Sequence, residues 1–152
     1  FADASEHPVA RRRNEWSSVD EMFHRFRSRH PFSLWREDVL QDYCEYGIVP
    51  TLNGFELGCP PVVEASIYMG SAGHPIDEAI RAVKHPVSVM RAFRGEGDRT
   101  EMDFSQSPTW PELAGAFEHG HDIHLPDLTH FIPMQRPDLV AKEVRRLANT
   151  VK

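Results

Sequence analysis

With 152 residues, 40% hydrophobic and 26% charged, the chain is long enough for one ordinary domain with its own core. Seventeen basic residues against 23 acidic ones give a net charge of −6, which argues against a broad electrostatic footprint for nucleic acid; Arg11-Arg12-Arg13 reads as solvated surface before a helix. No run of about 18 apolar residues occurs, so no membrane span is expected.

The opening Phe1-Ala2-Asp3-Ala4-Ser5-Glu6 has neither an initiating methionine nor the layout of a signal peptide, so an internal starting point is expected. Cys44 and Cys59 follow no metal-ligand spacing and are expected as reduced thiols of a cytoplasmic protein.

The first clear helical signal covers residues 17–28. Ser18-Val19-Asp20-Glu21 fits a capping box, and Val19, Met22, Phe23 and Phe26 recur at helical spacing. A second helix is predicted from Arg36 to Tyr46, with Val39, Leu40 and Tyr43 on one side and Gly47 placed for left-handed termination. A third opens at Cys59-Pro60-Pro61, because proline is tolerated in a first turn, and carries Val62, Val63, Ile67 and Tyr68. A fourth spans about Pro75 to Lys84, with Ile76, Ala79, Ile80 and Val83 as its stripe. No strand is expected among these helices.

The pattern changes at Pro86. Val87-Ser88-Val89-Met90-Arg91-Ala92-Phe93 suits a strand buried on both faces, bounded by a proline before and a glycine-rich loop after. Thr109-Trp110-Pro111-Glu112 fits a second capping box, continued by Leu113, Ala114 and Phe117, and Asp122-Ile123-His124-Leu125 is short enough for one more strand. Pro137 starts a last helix with the stripe Val140, Val144, Leu147 and Val151. Strand, helix, strand, loop and helix form the repeating unit of a parallel α/β sheet. Two such strands leave edges unpaired and apolar faces uncovered, so further strands are expected outside this chain.

His119-Gly120-His121-Asp122-Ile123-His124 gathers three imidazoles and a carboxylate, all metal-ligand types. Asp122 and His124 would share a strand face while His119 and His121 belong to the preceding turn, so no metal site is expected.

The run Thr129-His130-Phe131-Ile132-Pro133-Met134-Gln135-Arg136-Pro137-Asp138-Leu139-Val140 resembles the histidine loop and last helix of an α/β-hydrolase, and the cap segments Arg11-Arg12-Arg13, Pro31-Phe32-Ser33-Leu34-Trp35 and Cys59-Pro60-Pro61-Val62-Val63-Glu64-Ala65 look similar to bacterial esterase-like members. The order of parts resembles the C-terminal half of that fold over nearly the whole chain. The resemblance implies a helical cap or lid over residues 1–84 and the last strands and helices of the hydrolase core over residues 85–152, with the sheet incomplete in this chain.

It also implies roles. His130 is the expected general base. The triad acid is expected just past the penultimate strand, where Asp98 in Arg94-Gly95-Glu96-Gly97-Asp98 comes first; Glu96, Asp103 and a residue off this chain stay open. The nucleophile of such enzymes sits in Gly-x-Ser-x-Gly on a strand-to-helix turn, and that pentapeptide does not occur here. Its nearest approach, Gly70-Ser71-Ala72-Gly73, reads as a helix C-terminal turn.

The expected function is a serine hydrolase of a small, partly apolar ester or lactone, using no cofactor or metal, with nucleophile and oxyanion hole on a separate N-terminal chain. An aspartate nucleophile would make it an epoxide hydrolase or haloalkane dehalogenase. A non-catalytic binding protein of the same fold is the third reading.

Overall fold

The computed structural model describes residues 3–70, 75–95 and 106–150. The chain divides into two compact units, residues 1–33 with 37–74, and residues 34–36 with 75–152.

The first unit contains α1 (Val19–Phe26), α2 (Glu37–Tyr46) and α3 (Pro61–Gly70). It also contains β1 (Glu15–Trp16), β2 (Ile48–Thr51) and β3 (Gly54–Leu57), which pair antiparallel in the order β1-β3-β2. This sheet corrects the expectation of helices alone. Its strands are too short to show an alternating pattern, and Pro50 and Gly54 read as breakers. Pro50 is tolerated because β2 is an edge strand, where a missing N–H interrupts no ladder on the outer side. Gly54 is required: its φ is +142°, and a Cβ there would stand 2.4 Å from the Trp16 carbonyl oxygen.

α1 is capped as its sequence predicts. Ser18 Oγ accepts from the Glu21 N–H at 3.0 Å, and the Glu21 carboxylate accepts from both the N–H and hydroxyl of Ser17 at 2.9 Å. Met22, Phe23 and Phe26 are its buried face. Phe26 stacks on Phe32 at 4.2 Å and meets Trp16 edge-on at 5.2 Å, geometries that suit aromatic quadrupoles. α2 buries Leu40 and Cys44, one turn apart, on the same core.

Gly47 ends α2 without a left-handed residue; among the described residues only Gly54 has positive φ. Glycine serves at 47 because a Cβ would meet the Tyr43 carbonyl oxygen at 2.4 Å. α3 buries Pro61 and Ala65, whereas Val62, Val63 and Ile67 are exposed. The Gly70–Gly73 turn reading falls partly on residues 71–73, outside the described set.

The second unit contains α4 (Asp77–Ala82), β4 (Val87–Ala92), α5 (Leu113–Ala116), β5 (Gly120–Leu125), α6 (Ile132–Gln135) and α7 (Pro137–Ala148). β4 and β5 pair parallel, from Val87 opposite Gly120 to Ala92 opposite Leu125. α5 is shorter than predicted, and the expected capping box is not made: Glu112 at its N-cap forms no side-chain cap hydrogen bond. The Thr109 N–H turns instead to Ser107 Oγ at 3.3 Å, and residues 111–112 form a turn before the helix begins at Leu113.

α7 is joined to β4 by polar contacts. The Ser88 hydroxyl donates to the Glu143 carboxylate, which also takes the Arg146 guanidinium at 2.6 Å, and Arg146 reaches Ser88 Oγ at 3.0 Å. No residue of α7 is fully buried, and Val144 of its apolar stripe is 59% exposed.

Two measurements check these packing arguments. Met22 is fully enclosed, so Met22→Ala should destabilise the chain by about 3 kcal/mol in urea titrations through lost transfer energy and the cavity left. The hydrogen bond from Arg146, then that from Ser88, hold the Glu143 carboxyl down at about 2 against an ordinary 4.5. A depressed carboxyl stabilises the fold fully above its unfolded value and loses that contribution as pH falls through the folded value. Glu143→Gln should therefore flatten the decline in urea midpoint between pH 4.5 and 2, the window these values set.

Candidate active site

Parallel strands send their following loops off the same edge of a sheet, and in open α/β sheets that carboxyl edge is where ligands bind. Here β4 runs into Phe93, Arg94 and Gly95, and β5 runs into the loop that carries His130. The two loops are tied directly. The Phe93 N–H donates to the Leu128 carbonyl at 3.2 Å, and the Ser107 N–H donates to the Phe93 carbonyl at 2.7 Å.

His130 lies between β5 and α6 with its side chain exposed. The residues around it are held by hydrogen bonds and ring contacts. Gln135 Oε1 accepts from the Thr129 N–H at 2.9 Å and from the Thr129 hydroxyl at 2.5 Å, while Thr129 Oγ1 accepts from the Phe131 N–H at 3.3 Å. Phe131 packs on Trp35 at 5.4 Å, and its neighbour Ile132 is buried. The Arg36 N–H donates to the Met134 carbonyl at 3.0 Å, fixing residues 34–36 against α6. The His130 ring stands 5.9 Å from that of Phe131, tilted by 55°. An imidazole presented to solvent from a pinned loop has the access that proton transfer requires.

Asp98, Glu96 and Asp103, the candidates for the triad acid, lie outside the described residues. On the described side, Gly95 lies against the Gln106 side chain, so closely that a Cβ would meet Gln106 Oε1 at 2.4 Å.

The histidine-rich segment is organised differently from its sequence reading. His121 belongs to β5 and not to the preceding turn, because pairing begins at Gly120. Alternation then puts Asp122 and His124 on one sheet face and His121 on the other. Both Asp122 oxygens are occupied by Arg91, at 2.7 and 2.9 Å. These charge-assisted bonds are the first cause of an Asp122 carboxyl held below its ordinary value. Among the described residues no three histidine, cysteine or acidic side chains are grouped to hold a metal ion.

Sequence reasoning did not find the Arg91–Asp122 pair or the Thr129–Gln135 clamp. The first needs the parallel register. The second spans a loop and a short helix, so no regular spacing announces it.

No family model matches the sequence, and no curated protein does. Among solved structures, the chain matches the crystal structure of E-2-(acetamidomethylene)succinate hydrolase with a TM-score of 0.64 and 13% identity. The match covers 90% of this chain. The fold is that of part of an α/β-hydrolase. The chain spans about half the length of the structure it matches, 47% of that chain. The parallel β4–β5 pair with its helices is consistent with the C-terminal portion of the fold. The likeness is one of architecture and is not specific to esterases. Among the described residues, no helix is long and apolar enough to cross a membrane.

If Gln135 holds the histidine loop, Gln135→Leu should raise amide hydrogen exchange at residues 128–131 by about tenfold, the equivalent of about 1.4 kcal/mol for the lost hydrogen bonds. Exchange in α1, which the clamp does not touch, should stay at its original rate.

Proposed function

We propose that this chain supplies the histidine and the helical lid of a serine hydrolase that cleaves a small, partly apolar ester or lactone, with the nucleophile and oxyanion hole on an N-terminal half outside these residues. The observation that carries this reading is the exposed His130 on a clamped loop at the carboxyl edge of a parallel strand pair.

In this reading His130 accepts the proton of a serine hydroxyl as the oxygen attacks the ester carbonyl, then gives it to the departing alkoxide. It next takes a proton from the water that hydrolyses the acyl-enzyme. A carboxylate past β4, with Asp98 first in order, would hold the imidazole in the required tautomer. The solved neighbour is itself a hydrolase by name, which favours hydrolysis over non-catalytic binding.

The sheet supports a missing partner half. β4, Val-Ser-Val-Met-Arg-Ala, buries Val89 and Ala92 in the manner of an inner strand. β5 exposes His121, Asp122 and His124, the charged dressing of an outer one. A further strand is thus expected on the free side of β4, supplied by the other half.

The test uses the complete enzyme, either as a longer parent or as a complex of this chain with a second polypeptide of similar size. A fluorophosphonate probe should label a serine outside this chain, and His130→Ala should slow turnover by about 10²–10⁴-fold while the fold is kept. A folded complex that resists the probe points to an aspartate nucleophile or to no catalysis. Unchanged turnover in His130→Ala would remove this histidine from the chemistry.

A further inference from the structure

The first unit contains a cleft of about 460 Å³, bordered by Arg12, Tyr43, Tyr46, Leu57, Cys59 and Glu64. That volume lies in the range of small-molecule sites. Its polar groups are arranged as a compensated pair. The Arg12 guanidinium gives one N–H to Glu64 Oε2 at 2.5 Å and another to the Tyr43 hydroxyl at 3.2 Å. These bonds occupy two of the five N–H donors that an arginine carries, and the Glu64 carboxylate has further lone pairs. Leu57, nearly fully buried, gives the cleft an apolar floor, and the Tyr46 ring, 77% exposed, stands at its rim.

We propose that this cleft binds a small neutral molecule that carries a carboxamide on an apolar body. The choice of a neutral group follows from the charges. A carboxylate drawn to Arg12 would meet Glu64 at the same place, and an ammonium drawn to Glu64 would meet Arg12. A carboxamide satisfies both, since its carbonyl accepts from the guanidinium and its N–H donates to the carboxylate. Desolvation favours the same answer, because a neutral group gives up less hydration on entering. The site is built from first-unit residues alone and does not depend on the reading of His130.

The two cysteines make the cleft observable. Cys59 is exposed on its border and Cys44 is buried elsewhere in the unit. N-ethylmaleimide, whose double bond adds the Cys59 thiolate, should modify Cys59 and spare Cys44 in the native chain. Benzamide at about 10 mM should slow that modification by about threefold or more if it binds in the millimolar range, and benzoate of the same shape should not.

Arg12→Lys should abolish the protection, because a lysine keeps the charge but not the fork. Continued resistance of Cys44 would show that this variant is folded. Tyr46→Ala, at an exposed position, should weaken the protection and serves if Arg12→Lys unfolds. Equal protection by benzamide and benzoate, protection by benzoate alone, or none by benzamide would each overturn the proposal, as would undiminished protection in the folded variants.

Discussion

Because β4 and β5 run parallel, the loops that follow them leave on the same side, and the position of His130 depends on that single constraint. An antiparallel pair would have sent the two loops to opposite ends of the sheet. Inside the pair the backbone ladder sets the register, from Val87 opposite Gly120 to Ala92 opposite Leu125, with the two-pronged Arg91–Asp122 contact across it, and just beyond it the Phe93 N–H donates to the Leu128 carbonyl. The Thr129–Gln135 clamp then carries that order past the strand end to the histidine. The imidazole is exposed while its surroundings are restrained, which separates rigidity of position from burial.

The two units are stabilised by different means. The first rests on an aromatic and aliphatic core: Phe26 meets Trp16 and Phe32 ring to ring, and Met22, Leu40 and Cys44 are buried in the same unit. α1 adds its capping bonds to that core. The second relies more on polar joints: Ser88 with Glu143 and Arg146 between β4 and α7, and Arg91 with Asp122 between the strands. Charge-assisted joints orient elements well but contribute little when they are open to solvent. A strand pair and a helix with no fully buried residue, held in this way, suit a portion of a fold whose sheet is completed by other strands.

Much of the fold was legible in the amino-acid order. α1 announced itself through Ser18, Glu21 and the Met22-Phe23-Phe26 face, and β4 through its compact apolar run between Pro86 and Gly95. α7 did so through Pro137 and its repeated valines. These signals are local, since capping bonds and helical spacing join residues within a few positions of one another. The β2–β3 hairpin was not legible. Its strands are four residues long, and Pro50 and Gly54 are admitted only by an outer edge and by a close backbone passage at Trp16. The place of His130 after a strand and before Pro137 was also readable, from order alone.

The sequence by itself determined which segments are helix or strand where the pattern is periodic, and that a histidine follows the last strand. Tertiary structure decided the register of the two parallel strands, that Asp122 is taken up by Arg91 and is not left to a cluster of histidines, and that α3 leaves Val62, Val63 and Ile67 exposed. The reason is physical. Periodicity records only that a face is apolar, whereas pairing register and the neighbour on that face arise from residues tens of positions away, which no local pattern encodes.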